Sequence, residues 1–210
     1  GFSFENIATL CAALNTLPNL ESVLLTQHPL RREEGVPIFR SFESITEFLR
    51  APSLRVVQLK SFCLTSSLCQ ATAKALRQGS SITSLVVNQC SFPEGGSEQI
   101  ASALKENATL TVFKITPSQD SINEAFYDAM AASLLSNSAL QELTIRYIGA
   151  TNPTASVCVS SLFLALGVNK TLRKLHISGF SSVDASLIPA LHEGLGKNST
   201  LEELELIQSG

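Results

Sequence analysis

Residues 103–115 read ALKENATLTVFKI, residues 133–145 read SLLSNSALQELTI, residues 165–177 read ALGVNKTLRKLHI and residues 194–206 read GLGKNSTLEELEL. Laid over one another, they share a small residue, a Leu, an Asn three places later, and an apolar phrase of the form L-x-x-L-x-L. That phrase is Leu110/Phe113/Ile115, Leu140/Leu143/Ile145, Leu172/Leu175/Ile177 and Leu201/Leu204/Leu206. Working outward, it also occurs at Leu20/Val23/Leu25, Leu54/Val57/Leu59 and Ile82/Leu85/Val87. Its first members lie 34, 28, 28, 30, 32 and 29 residues apart, the signature of stacked structural repeats.

The segment before each phrase is periodic too. Six residues ahead of its first member stand Leu14, Phe48, Leu76, Leu104, Leu134, Leu166 and Leu195. Seven ahead stand Ala13, Glu47, Ala75, Ala103, Ser133, Ala165 and Gly194, and ten ahead Leu10, Ile100, Met130, Leu162 and Leu191, with Ser44 and Thr72 breaking the last column. These spacings put the apolar residues on one stripe of a helix and a small residue where a neighbouring helix approaches. Gly79, Asn107, Asn137, Asn169 and Asn198, three ahead of the phrase, are expected to end each helix in the left-handed conformation that Gly and Asn tolerate. Pro18 and Pro52 stop the first two. The phrase itself alternates with period two and reads as a short strand with its Leu positions inward. One helix–strand unit cannot bury its own apolar face, so the units must stack, with a parallel sheet on one side and helices on the other.

Composition agrees with a well-packed chain. Of 210 residues, 44% are hydrophobic and only 16% charged, which excludes disorder. No run of apolar residues is long enough to span a bilayer. A net charge of −3 argues against nucleic acid as partner. Cys11, Cys63, Cys69, Cys90 and Cys158 form no CxxC pair and have no His at zinc-like spacing, so they read as buried reduced thiols of a cytoplasmic protein, with no metal or other cofactor.

On these residues the chain resembles a leucine-rich repeat protein of the ribonuclease-inhibitor-like class, from Ile7 to Leu206. The resemblance implies a right-handed α/β solenoid, a horseshoe of about seven repeats with a concave parallel sheet and convex helices, occupying residues 1–210 as a single domain. The family includes ribonuclease inhibitors, the sensing halves of NOD-like receptors and Ran GTPase-activating proteins. Eight residues after the first Leu the family often has Asn or Cys. Here only Cys90 fits, beside His28, Phe62, Ser118, Ile148, Phe180 and Ser209, so the turns after the strands should vary. Two repeats carry extra stretches, Pro29–Phe39 and Gly149–Thr154, which read as surface loops. The chain opens in the helix half of a repeat and stops after a strand, with no polar cap. We therefore expect a segment of a longer array, the alternative being a homodimer that covers the C-terminal sheet edge.

The outward strand positions define the expected binding face. Its first half carries Leu24, Val56, Val86 and Val112 with few charges, alongside Gln58, Asn88 and Lys114, and its second half carries Glu142, Arg146, Lys174, His176, Glu203 and Glu205. Apolar contacts for affinity beside charges for orientation suit a protein partner, with Tyr147 as an aromatic anchor. We therefore expect a non-enzymatic protein-recognition scaffold. The alternatives are the ligand-sensing domain of an NOD-like receptor and a Ran-type GTPase activator. The row Thr144, His176 and Glu205 mimics a nucleophile, base and orienter, but an open sheet offers no pocket to exclude water. The triplets beginning at Asn107, Asn169 and Asn198 match a glycosylation sequon but fall at the repeat's own helix-cap position.

Overall fold

The computed structural model describes residues 7–26, 42–118, 122–146, 159–180 and 187–208. Helix and strand alternate throughout: α1 (Ile7–Leu14), β1 (Ser22–Thr26), α2 (Phe42–Leu49), β2 (Val56–Lys60), α3 (Ser66–Arg77), β3 (Ser84–Cys90) and α4 (Gly96–Ala103). Then follow β4 (Val112–Pro117), α5 (Glu124–Leu134), β5 (Glu142–Arg146), α6 (Ser160–Leu166), β6 (Lys174–Phe180), α7 (Leu187–Lys197) and β7 (Glu203–Gln208). The strands form one parallel sheet in chain order, β1 to β7. Each strand lies beside its sequence neighbour because the return path through a single helix is too short to skip one. Strands sit about 4.8 Å apart and packed helices 8–10 Å apart, so the stack bends toward its sheet.

The repeated Leu positions are the core. Val23, Val57, Leu85, Phe113, Leu143, Leu175 and Leu204 pair across the sheet in one continuous register. Leu54, Leu110, Leu140 and Leu172 are fully buried beneath the helices. Burial weakens at both ends of the sheet, where Leu20, Leu25, Leu201, Leu204 and Leu206 are only partly covered. The small residue ahead of each Leu is buried from Ala75 onward, whereas Ala13 and Glu47 are exposed. Thr72, which breaks the apolar column, is buried without strain because its hydroxyl donates to Leu68 O at 2.8 Å on its own helix.

Two hydrogen-bond ladders fix one repeat on the next. In the first, two successive N–H groups converge on a single carbonyl of the previous repeat: Thr83 and Ser84 on Arg55 O, Thr111 and Val112 on Thr83 O, Gln141 and Glu142 on Thr111 O. The pattern continues with Arg173 and Lys174 on Gln141 O, then Glu202 and Glu203 on Arg173 O. The second is built from asparagine side chains. Asn137 Oδ1 accepts from the N–H groups of Ala139 (2.9 Å) and Leu140 (2.7 Å), while its Nδ2 donates to Leu104 O (2.6 Å) and Asn107 O (2.9 Å) of the repeat before. Asn169 does the same toward Leu134 O and Asn137 O, and Asn198 toward Leu166 O and Asn169 O.

This corrects the expected role of the asparagines. None of them is left-handed. Among the described residues positive φ occurs at Ser61, Gly79, Gln89, Gly95 and Gly179. Only Gly79 (φ 83°) caps as expected, with Ser80 N–H reaching back to Ala75 O at 3.2 Å. The asparagines are instead buried bridges, and the sequon-like triplets follow from that: Asn107 and Asn169 are 4% and 3% exposed, with both ends of the amide engaged. Ser61, Gln89 and Gly179 share one repeat position, immediately after the third outward residue: Ser61 follows the end of β2, while Gln89 and Gly179 lie inside β3 and β6 where the pairing register shifts. The sequence signal was hidden there because two of the three are not glycine.

The expectation of uniformly buried thiols fails at one place. Cys11, Cys69 and Cys90 are buried, Cys63 is exposed, and Cys158 lies outside the described residues. Burial pushes Cys11 and Cys90 up to about 11 and Cys69 to about 12. Cys90 holds the turn as the family comparison implies: its Sγ accepts from Phe62 N–H at 3.4 Å. Phe62, at the same position one repeat earlier, packs into the core instead. Ser118 is exposed, so that ladder is irregular. The two extra stretches, Pro29–Phe39 and Gly149–Thr154, lie outside the described residues.

Three outcomes are expected from this packing. Asn137→Ala strands two N–H groups and two carbonyls and should lower the unfolding free energy by on the order of 3 kcal/mol in urea. The exposed Ser138→Ala should change it by less than about 0.5 kcal/mol. A Cβ on Gly194 would lie 1.9 Å from Phe163 O, whereas one on Gly196 would meet nothing within 4 Å. Gly194→Ala should therefore cost at least about 2 kcal/mol despite its better helix propensity, and Gly196→Ala should be neutral or stabilising. In a Cys158→Ser background, Ellman's reagent should titrate one thiol quickly, Cys63, and the other three only on unfolding.

Candidate protein-binding face

The register converts the outward positions into three columns that run across the sheet. The first is Ser22, Val56, Ser84, Val112, Glu142, Lys174, Glu203. The second is Leu24, Gln58, Val86, Lys114, Thr144, His176, Glu205. The third, at the strands' C-terminal ends, runs from Thr26, Lys60, Asn88 and Thr116 through Arg146 to Ser178 and Ile207. Every described residue expected on this face stands in one of these columns. Tyr147 lies outside the described residues.

The apolar half is not a single column. Leu24, Val56, Val86 and Val112 alternate between the second and first columns on successive strands, making a zigzag from β1 to β4. Leu24 is 58% exposed and the three valines are half-buried. Gln58 and Ser84 fill the gaps between them.

The charged half is a chain of ion pairs between neighbouring strands. Lys114 Nζ lies 2.5 Å from Glu142, Lys174 Nζ lies 2.8 Å from Glu203, and His176 places Nε2 3.0 Å from Glu203 and Nδ1 3.5 Å from Glu205. The hydrogen bond from Lys174 holds the Glu203 carboxyl below the usual carboxylate range, and the same bond raises Lys174. The Arg173–Glu202 pair sits at the strand starts, beside this face. Lys60 and Arg146 are exposed and have no ion-pair partner among the described residues.

The row Thr144, His176, Glu205 is in register as expected, but its geometry is not that of a triad. Both imidazole nitrogens face glutamates, and the Thr144 hydroxyl has no hydrogen-bond partner. Thr144 is 5% exposed although it stands at an outward position. Sequence alternation alone could not reveal this, because it places Thr144 outward, between Lys114 and His176 of the adjacent strands. No group of three or more His, Cys, Asp or Glu side chains suited to a metal ion occurs among the described residues. No described helix is long and apolar enough to cross a membrane.

A second exposed apolar set lies on the helix side. Leu135, Leu164 and Val168 are 53%, 44% and 57% exposed around α5 and α6.

No family model matches the chain, and no curated protein matches it. Among solved structures the chain is similar to "Leiomodin-1 Actin-Binding Site 2 (ABS2)", with a TM-score of 0.54 and 17% sequence identity, over 64% of this chain and 76% of that chain. At that identity the likeness is one of fold. Together with the in-order parallel sheet and its alternating helices, it makes this chain an α/β solenoid with the fold of leucine-rich repeat proteins.

Proposed function

We propose that the chain is a non-catalytic scaffold of the ribonuclease-inhibitor-like class that recognises a protein in the cytoplasm through its concave sheet face. The observation that carries this reading is the open face itself. All-parallel sheets ordinarily have both faces covered, and here one face is packed under helices while the other leaves the Leu24–Val56–Val86–Val112 zigzag in contact with water. Beside the zigzag lies a patterned field of ion pairs that can set a partner's orientation. The solved neighbour is itself named as an actin-binding site, which fits a fold used to hold other proteins. The engagement of both His176 nitrogens by glutamates supports binding over catalysis on this face.

The helix-side set at Leu135, Leu164 and Val168 is the competing surface, and the two are separable. Immobilised wild type, Val86→Asp with Val112→Asp, and Leu135→Asp with Leu164→Asp would be compared for proteins captured from cytosol, quantified by mass spectrometry. The concave variant should lose the specific proteins by at least about tenfold, and the helix-side variant should retain them. The opposite pattern would overturn the concave reading. Circular dichroism melts of both variants report whether the fold survives.

A further inference from the structure

The third column of the sheet face differs in kind from the other two. The carboxylates on the described face are Glu142, Glu203 and Glu205, all in the first two columns, and each has a cation or imidazole beside it. The third column holds no carboxylate from Thr26 to Ile207, yet it carries Lys60 and Arg146. Both are exposed and without an ion-pair partner among the described residues, on a chain whose net charge is −3. Between them, Asn88 and Thr116 supply half-buried polar side chains. The positive-φ residues Ser61 and Gln89 follow immediately after Lys60 and Asn88, Ser61 past the end of β2 and Gln89 at the register shift of β3.

A second observation marks the same strand as Arg146. Two residues earlier on β5, and therefore on the same face, the buried Thr144 hydroxyl has no partner. A buried hydroxyl left unpaired is a cost unless something arriving from the face satisfies it. A guanidinium with no ion-pair partner and a hydroxyl with no hydrogen-bond partner among the described residues, both on one short strand, form a natural seat for a carboxylate.

Resting on the concave-face reading above, we propose that the partner presents an acidic, extended segment laid across the C-terminal ends of the strands. One of its carboxylates is taken by Arg146 with Thr144, and a second by Lys60. Lys60 and Arg146 stand three strands apart, roughly 14 Å, which an extended chain covers in about four residues. Apolar residues of the same segment lie over the zigzag of Leu24, Val56, Val86 and Val112. Charge complementarity selects this occupant: among the described residues the cations of the first two columns are already paired, and those without an ion-pair partner lie in the third. A nucleic-acid strand fits less well, because two cations without an ion-pair partner among the described residues are few for a phosphate backbone, and the described face has no Phe, Tyr or Trp on which bases could stack.

The test uses random dodecapeptides displayed on phage and selected against the wild-type chain, with oligouridylate as a competing probe. Recovered peptides should be enriched in Asp and Glu, with pairs about four residues apart, over an apolar background. Synthesised versions should bind Arg146→Glu and Lys60→Glu about tenfold more weakly than wild type, and a peptide Glu→Lys change should recover binding to Arg146→Glu. Peptides without acidic enrichment, acidic peptides that bind Arg146→Glu as well as wild type, or oligouridylate that binds more tightly than the peptides would each overturn the inference. Binding that resists both charge reversals but is lost in Val86→Asp with Val112→Asp removes this inference and leaves the concave reading standing. Binding indifferent to all of these changes, or failure to recover any peptide, removes both.

Discussion

A carboxamide carries two donors and an acceptor with two lone pairs side by side and without charge, and the stack turns on that fact at Asn107, Asn137, Asn169 and Asn198. The oxygen caps the chain of its own repeat as it turns from helix to strand. The nitrogen reaches back to the helix-end carbonyls of the repeat before. Both jobs must be done, because these backbone groups are shut away from water and an unpaired one is costly. Aspartate could accept but not donate, serine could not span the distance, and leucine could do neither. Each asparagine also exposes its own carbonyl to the next asparagine nitrogen, so the bond defines how far and at what angle the following repeat is set.

Register follows from that placement. Once helix ends are indexed, the converging pair of N–H groups at each strand start has only one carbonyl to meet, and the strands must pair in step. A slip by one residue would turn Leu85 or Phe113 to water and Val86 or Lys114 into the core. The cross-strand ion pairs Lys114–Glu142 and Lys174–Glu203 are therefore products of core packing, since their partners meet only in this register. They are exposed pairs and add little stability. Their weight lies in the electrostatic pattern they print on the face.

How far the sequence discloses this depends on the kind of interaction. Core positions such as Leu110 and Leu140 are legible because burial follows from period alone, and the columns of the outer face follow from the same period. The asparagine column is equally visible, but its chemistry is not: residue type at a helix end fits both a left-handed cap and a bridging amide, and only the neighbouring repeat's carbonyls decide. Ser61 and Gln89 are opaque for a different reason. Their positive φ goes with the end of β2 and with the register shift in β3 and not with any preference of their own, and only Gly179 at the equivalent place hints at it. Thr144 is opaque as well, since its alternation says exposed while the folded chain leaves it only 5% exposed between Lys114 and His176.

The same rigidity bears on recognition. A surface whose strands are tied by backbone ladders throughout, and from the third repeat onward by asparagine amides as well, has little freedom to lose when a partner arrives, so a larger share of contact energy is retained as affinity. Along the first four strands the apolar side chains Leu24, Val56, Val86 and Val112 are short and present a nearly fixed relief. Along the last three, long charged pairs such as Lys174–Glu203 can exchange partners at small cost in exposed surroundings. Shape selectivity therefore concentrates at one end of the face and charge selectivity at the other. Lys60 lies within the apolar half and Arg146 within the charged half, so the third column is the one line of the face along which a single extended segment meets both.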